Sequence, residues 1–222
     1  MARQAVSDPD AELLRQVSDY YGACYRHYGD SARGMDWKDE ASQRLRFEVL
    51  LRGLDLGGST RILDVGCGNG ELLAFLRQRG STAVYRGVDV CPEMVAACAR
   101  RFGPGVAVQA GAADLERLDL DADYVVASGT FNVKQEAGEE VWRRYLWGSV
   151  AKMYAACRVA AVFNVMTSRV DRRYPRLYYF DPAEAPALAE ACGTRWFRVD
   201  HDYPLYEMTV TLRRQPGAFS GE

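Results

Sequence analysis

At 222 residues, with 48% hydrophobic and 26% charged residues, the chain has the size and composition of one folded domain rather than of a disordered segment. A formal net charge of -2 supplies no global attraction for nucleic acid or an anionic membrane surface. No apolar run reaches the roughly 20 residues of a membrane span, and the polar start lacks a signal-peptide apolar region, so a cytoplasmic protein is expected.

From the N-terminus, residues 8 to about 28 carry Leu13, Leu14, Val17, Tyr20, Tyr21, Cys24, Tyr25 and Tyr28 near helical spacing, with Ser7 or Asp8 as a cap and Pro9 in the first turn. A second helix is expected over residues 37 to 54. A first strand over 62–65 runs into Gly66, Gly68 and Gly70 and then into a helix from Glu71. Strands over 85–90, 106–109, 124–127 and 159–165 alternate with helices over 92–102 and 136–157, the period of a parallel sheet. The run at 124–127 is apolar throughout, as in a strand buried on both faces. A short helix over 183–192 and an antiparallel pair of strands near 196–199 and 206–212 close the chain. The six cysteines, Cys24, Cys67, Cys91, Cys98, Cys157 and Cys192, form no C-x-x-C pair, and the histidines His27 and His201 are far apart in sequence. Neither a disulfide framework nor a metal site is expected. Cys67 reads as a small side chain tolerated in the turn rather than as a reactive thiol.

The glycine turn ILDVGCGNG is the most informative stretch. A dinucleotide fingerprint needs a third glycine three residues after the second, where this chain has Glu71, and no Gly-Lys-Ser/Thr follows to make a phosphate loop. Asp64 just before the turn also suits a ligand without pyrophosphate. An isolated aspartate at a strand end is most often a cap or turn former, so Asp64 gains meaning only with Asp89, which ends the next strand.

Together these residues resemble the D-x-G-x-G-x-G motif and second-strand acid of class I S-adenosylmethionine-dependent methyltransferases, over about residues 60 to 166. The resemblance implies an α/β, Rossmann-like, doubly wound seven-stranded sheet in the order 3-2-1-4-5-7-6 with the last strand antiparallel. It also implies an N-terminal helical lid over 1–57 on a core over 58–222. S-adenosyl-L-methionine is then the cofactor, held by Asp64, Gly66, Cys67, Gly68 and Gly70. Asp89 would accept from both ribose hydroxyls, with Val90 and Met94 bordering the adenine. Ala113 and Asp114 fall in the stretch that holds the adenine edge, although Ala112 stands where an aspartate is common. Ser128 and Gly129 fall beside the reactive methyl group.

On the acceptor side, Phe131 and Asn132 follow the fourth strand. The loop after the fifth carries Arg169, Arg172, Arg173 and Arg176 among Tyr174, Tyr178 and Tyr179. These arginines read either as a grip on an anionic acceptor, led by Arg169 and Arg173 with Tyr178, or as a solvated loop. Tyr21, Tyr25, His27, Tyr28 and Trp37 belong to the lid. His27 is the candidate base, with Tyr25 and Asn132 as further catalytic candidates. The expected reaction is in-line methyl transfer to the oxygen, nitrogen or carbon of a small molecule by a monomer or homodimer. Nucleic acid is disfavoured because no basic groove, added domain or N-P-P-Tyr/Phe motif is present. Cyclisation or elimination on the cofactor, a non-catalytic cofactor-binding module and an NAD-dependent reductase stay open as alternatives.

Overall fold

A computed structural model describes residues 9–31, 34, 39–118 and 120–217. Its strands are β1 (Arg61–Val65), β2 (Val84–Asp89), β3 (Ala107–Gln109), β4 (Ala122–Ala127), β5 (Cys157–Met166), β6 (Phe197–Asp200) and β7 (Glu207–Arg213). They form one seven-stranded sheet in the order β3-β2-β1-β4-β5-β7-β6, the order that the family resemblance implies. Strands β1 to β5 run parallel, and β7 is antiparallel to both β5 and β6.

Among the described residues six α-helices cover the sheet: α1 (Pro9–Tyr28), α2 (Glu40–Leu50), α3 (Glu71–Gln78), α4 (Pro92–Phe102), α5 (Glu139–Ala156) and α6 (Ala185–Ala191). Because side chains alternate along a strand, neighbouring residues feed opposite cores. Ile62, Val126 and Val162 pack with Phe47 and Leu50 of α2, Leu72 and Phe75 of α3 and Cys98 of α4. Leu63, Val125 and Phe163 pack with Leu13 and Val17 of α1, Trp142 and Met153 of α5 and Leu188 of α6. The two N-terminal helices therefore lie on opposite faces of the sheet.

Two helices are shorter than their apolar patterns suggest, for local reasons. The second begins at Glu40 because Asp39 caps it, its Oδ1 accepting from the Ser42 amide at 2.7 Å. It stops before Gly53, whose φ of 73° is left-handed. The fifth begins at Glu139 because residues 134–137 form a turn closed by the Ala137 amide on the Lys134 carbonyl at 3.0 Å. At its far end the chain passes from α5 directly into β5 at Cys157, so that strand starts two residues earlier than its apolar run.

The sheet order reverses between β1 and β4, and in an open α/β sheet this leaves a crevice beyond the strands' carboxyl ends.

Candidate functional site

Strand β1 delivers Asp64 and Val65 to the crevice, and the chain then turns back. The amides of Gly66 and Cys67 both donate to the Val88 carbonyl, at 2.8 and 3.0 Å, which pins the turn to β2. Gly66 has φ 76°, and a Cβ there would lie 2.5 Å from Thr130 Oγ1 in the loop after β4. Thr130 Oγ1 itself donates to the Val65 carbonyl at 2.8 Å, so the two loops are locked together under the crevice. At Gly70 the constraint is packing: a Cβ would meet Phe102 at 2.7 Å and Cys98 Sγ at 2.9 Å, and the residue does not line the cavity. Cys67 fits its turn because it faces Gly87 of β2, where an added Cβ would sit 2.6 Å from Cys67 Sγ. Among the described residues no group of His, Cys, Asp or Glu side chains is placed to hold a metal ion.

Two buried acids face this turn. Asp89 is 9% exposed and its carboxylate is held by backbone, Oδ2 accepting from the Gly68 amide at 2.8 Å and Oδ1 from the Cys91 amide at 2.9 Å. Burial pushes its pKa up, and these amide donors oppose the rise. Asp64 accepts from the Tyr85 hydroxyl at 2.7 Å. Burial lifts its pKa to about 7; the Tyr85 hydrogen bond opposes this and the charge of Asp89 adds to it.

Above the turn is an open cavity of about 880 Å³, its mouth and the solvent in it included. Asp64, Gly66, Cys67, Gly68, Asp89, Val90, Met94, Ser128 and Gly129 all line it, as does Tyr21 of α1. Val17, Phe47 and Tyr145 also line it, as do Ala110, Gly111 and Ala112. The residues fit S-adenosylmethionine: buried carboxylates suit a cationic ligand with ribose hydroxyls, and the apolar lining residues Val90, Met94 and Ala112 suit a flat base. Gln43, Asn69, Glu71 and Thr130 also line the cavity and were not singled out in the sequence. Asn69 and Thr130 lie within or beside the motifs already read, whereas nothing local to Gln43 marks it.

Several expected positions turn elsewhere. Asp114 closes a 3-10 turn over Ala112–Asp114, accepting from the Gly111 amide at 2.9 Å, and pairs with Arg117. The Gly111 amide holds its pKa low, and neither Asp114 nor Ala113 lines the cavity. Phe131 is fully buried, edge-on to Phe163 with ring centroids 5.9 Å apart. Asn132 is a buried tie: Oδ1 accepts from the Met166 amide at 2.9 Å, Nδ2 donates to Glu207 at 3.3 Å, and its carbonyl accepts from the Tyr178 amide. Tyr178 itself is buried in the core. The exposed Arg169 faces Asp181 at 3.7 Å, and Arg173 lies over the Tyr179 ring at 5.3 Å.

The lid candidates also diverge. Tyr25 donates to Asp30 at 2.9 Å and accepts from Arg100 at 2.8 Å. His27 stacks edge-on against Tyr28, and both are exposed. Trp37 falls outside the described residues. The catalytic candidates His27, Tyr25 and Asn132 are thus not brought together, and none of them lines the cavity. Apolar bulk drew Phe131 and Tyr178 into the core, and charge kept the loop arginines in water.

Comparison with known proteins gives a consistent picture. The family model described as "Methyltransferase domain" matches residues 62–146. A Mycobacterium tuberculosis protein named as a methyltransferase is 42% identical over 159 residues, 69% of this chain and 92% of that protein. Trans-aconitate 2-methyltransferase of a Mycobacterium species is 32% identical over 130 residues, covering 57% of this chain and 48% of that protein, so the match spans about half of that relative. Among solved structures, Burkholderia thailandensis 1,6-didemethyltoxoflavin-N1-methyltransferase, with 1,6-didemethyltoxoflavin and S-adenosylhomocysteine bound, superposes with a TM-score of 0.62 at 21% identity. That superposition covers 96% of this chain and 92% of the other, and shows the shared fold.

Proposed function

Because the chain belongs to the class I S-adenosylmethionine-dependent methyltransferases, we propose that it transfers a methyl group from S-adenosylmethionine to a small-molecule acceptor by in-line displacement. The observation that carries this reading is Asp89: a buried carboxylate, oriented by two backbone amides, lining a cavity that Val90, Met94 and Ala112 also line. The cofactor supplies, when bound, a methyl group already activated on a sulfonium.

The chain's own residues bind, orient and exclude water. Asp89 accepts from the ribose hydroxyls, Val90 and Met94 flank the base, and Gly66 and Gly68 let the backbone approach. Tyr21, Phe47 and Tyr145 line the cavity, and in this reading their aromatic surface would help keep water from the reacting atoms. No histidine is among the described lining residues, and an activated methyl group requires a base only when the acceptor must lose a proton. Positioning is therefore the protein's main contribution in this reading.

A small acceptor is supported by the relative named for trans-aconitate. The anion grip expected of Arg169 and Arg173 lacks support, since both stand away from the cavity. A cytoplasmic protein, monomeric or dimeric, is part of the same proposal; among the described residues no helix is long and apolar enough to cross a membrane. The test is incubation with S-adenosylmethionine and a fractionated metabolite extract. Acceptor-dependent S-adenosylhomocysteine, together with a metabolite heavier by one methylene, is the expected result. Methylthioadenosine formed without any acceptor would instead identify cyclisation or elimination and overturn the proposal.

A further inference from the structure

We propose that the C-terminal half of α1 must lift for S-adenosylmethionine to enter and leave, and that Tyr25 is its latch, held between Arg100 of α4 and Asp30. The inference rests on the cofactor assignment and concerns how that ligand gains and leaves its site.

The cavity has a mouth, yet the groups that a nucleoside has to touch are covered. Asp89 is 9% exposed and Met94 only 2%, and Tyr21 and Tyr25 of α1 pack against the pair Cys91 and Met94. Ser18 closes in beside them, its hydroxyl donating to the Val90 carbonyl at 3.4 Å. At Gly22 the helix lies so near the start of α4 that a Cβ would sit 3.0 Å from Glu93 Oε1. Ribose and base therefore reach Asp89 and Met94 only after α1 has moved.

What holds α1 down differs along its length. Leu13 and Val17, in its first half, are buried in the core. From Tyr25 onward the fastenings are polar and exposed: the Arg100 guanidinium donates to the Tyr25 hydroxyl at 2.8 Å, that hydroxyl donates to Asp30 at 2.9 Å, and Arg26 pairs with Glu93. Asp30 in turn accepts from Asn69 Nδ2 at 3.4 Å, so the series of contacts ends on the glycine turn. Exposed polar contacts are individually weak and reform readily, as a fastening that opens requires. The other N-terminal helix at the cavity is anchored differently. Phe47 and Leu50 of α2 lie in the core, and Arg46 makes a buried ion pair with Glu207 at 2.7 Å. So α2 stays and α1 moves. Tyr25, Asp30 and Arg100 are not among the lining residues, and they bear on the ligand through the helix alone.

The experiment measures both rate constants for S-adenosylhomocysteine by surface plasmon resonance on the full chain. Tyr25→Phe keeps the ring and removes both hydroxyl bonds. It is expected to raise the association and dissociation rate constants together, each about 3- to 10-fold, and to leave Kd within about twofold. A latch loosened in the free and the bound protein alike speeds passage in both directions. Arg26→Ala, which frees the same end of α1 from Glu93, is expected to act in the same sense and carries the test if the tyrosine variant does not fold. Arg15→Ala, whose bonds run to Glu12 and Asp19 within α1, is expected to leave both rates unchanged. A dissociation rate that rises alone marks a lost ligand contact or a damaged site and would overturn the proposal, as would two unchanged rates or an equal effect of Arg15→Ala. No binding by the wild type would remove the cofactor assignment, and this inference with it.

Discussion

The loops after β1 and β2 and the loops after β4 and β5 meet at the same crevice, yet they use their side chains in opposite directions. After β1 and β2, backbone amides hold Asp89 and the Tyr85 hydroxyl holds Asp64, and both acids line the cavity. After β4 and β5, Phe131, Tyr178 and Phe180 turn inward to build the core, whereas Tyr174 and the arginines, Arg173 among them, turn outward to water. Only Ser128, Gly129 and Thr130 of the second set reach the cavity. A ligand that every family member shares can be held by backbone geometry close to a short motif. An acceptor has to be accommodated by whatever the helices and the remaining loops leave open.

Four experiments would break or sharpen this contrast. The largest effect belongs to Phe131→Ala, expected to cost about 3–5 kcal/mol of folding stability in denaturant titration because a fully buried ring is removed. S-adenosylhomocysteine affinity in the folded protein should barely change. A stable variant with a raised acceptor KM would put Phe131 in the acceptor pocket instead. Next is Asp89→Ala, expected to weaken S-adenosylhomocysteine binding by roughly 1.5–3 kcal/mol, the range for hydrogen bonds to a charged group; unchanged affinity in a folded variant removes Asp89 from the site.

The third concerns pH. Asp64 titrates at about 7 in the folded protein against an ordinary 3.8, so between these values the native state holds a proton that the unfolded chain has lost. Its contribution to stability is therefore full below 3.8 and is lost as pH rises through about 7. Binding of a cation favours the ionised form and should tighten over the same rise. Melting temperatures with and without S-adenosylmethionine, measured on either side of neutrality, should show both trends, and Asp64→Asn should flatten them. The smallest effect is that of Arg173→Ala, expected to change stability and acceptor KM by no more than about 0.5 kcal/mol, as for a surface residue. A large KM change there would restore the anion grip.

Legibility in the sequence follows the same division. The glycine turn and the acids at 64 and 89 are visible in the sequence because each stands in a short strand-end motif, although the contacts that hold them, Tyr85 to Asp64 and Gly68 to Asp89, come from the neighbouring strand segment 21 residues away. The apolar runs of β4 and β5 show burial on both faces directly. Asp114 turns to the Gly111 amide instead of lining the cavity, and in sequence a capping aspartate and a ligand-facing one look alike until that partner is seen. The direction of Asn132 depends on Met166 and Glu207, which are close only once β5 and β7 have paired. Gln43 sits in a polar helical stretch and acquires its surroundings from α3 and the glycine turn, so no local pattern reveals it.

The contact between Cys67 and Gly87 bears on how this sequence can drift. One residue belongs to the glycine turn and the other to the middle of β2, twenty positions along the chain, but they fill a single volume. A side chain gained at 87 is tolerated only if the one at 67 shrinks. In a deep set of relatives the two positions should therefore vary as a pair, and a Gly87→Ala variant that loses fold or cofactor should be rescued by Cys67→Gly.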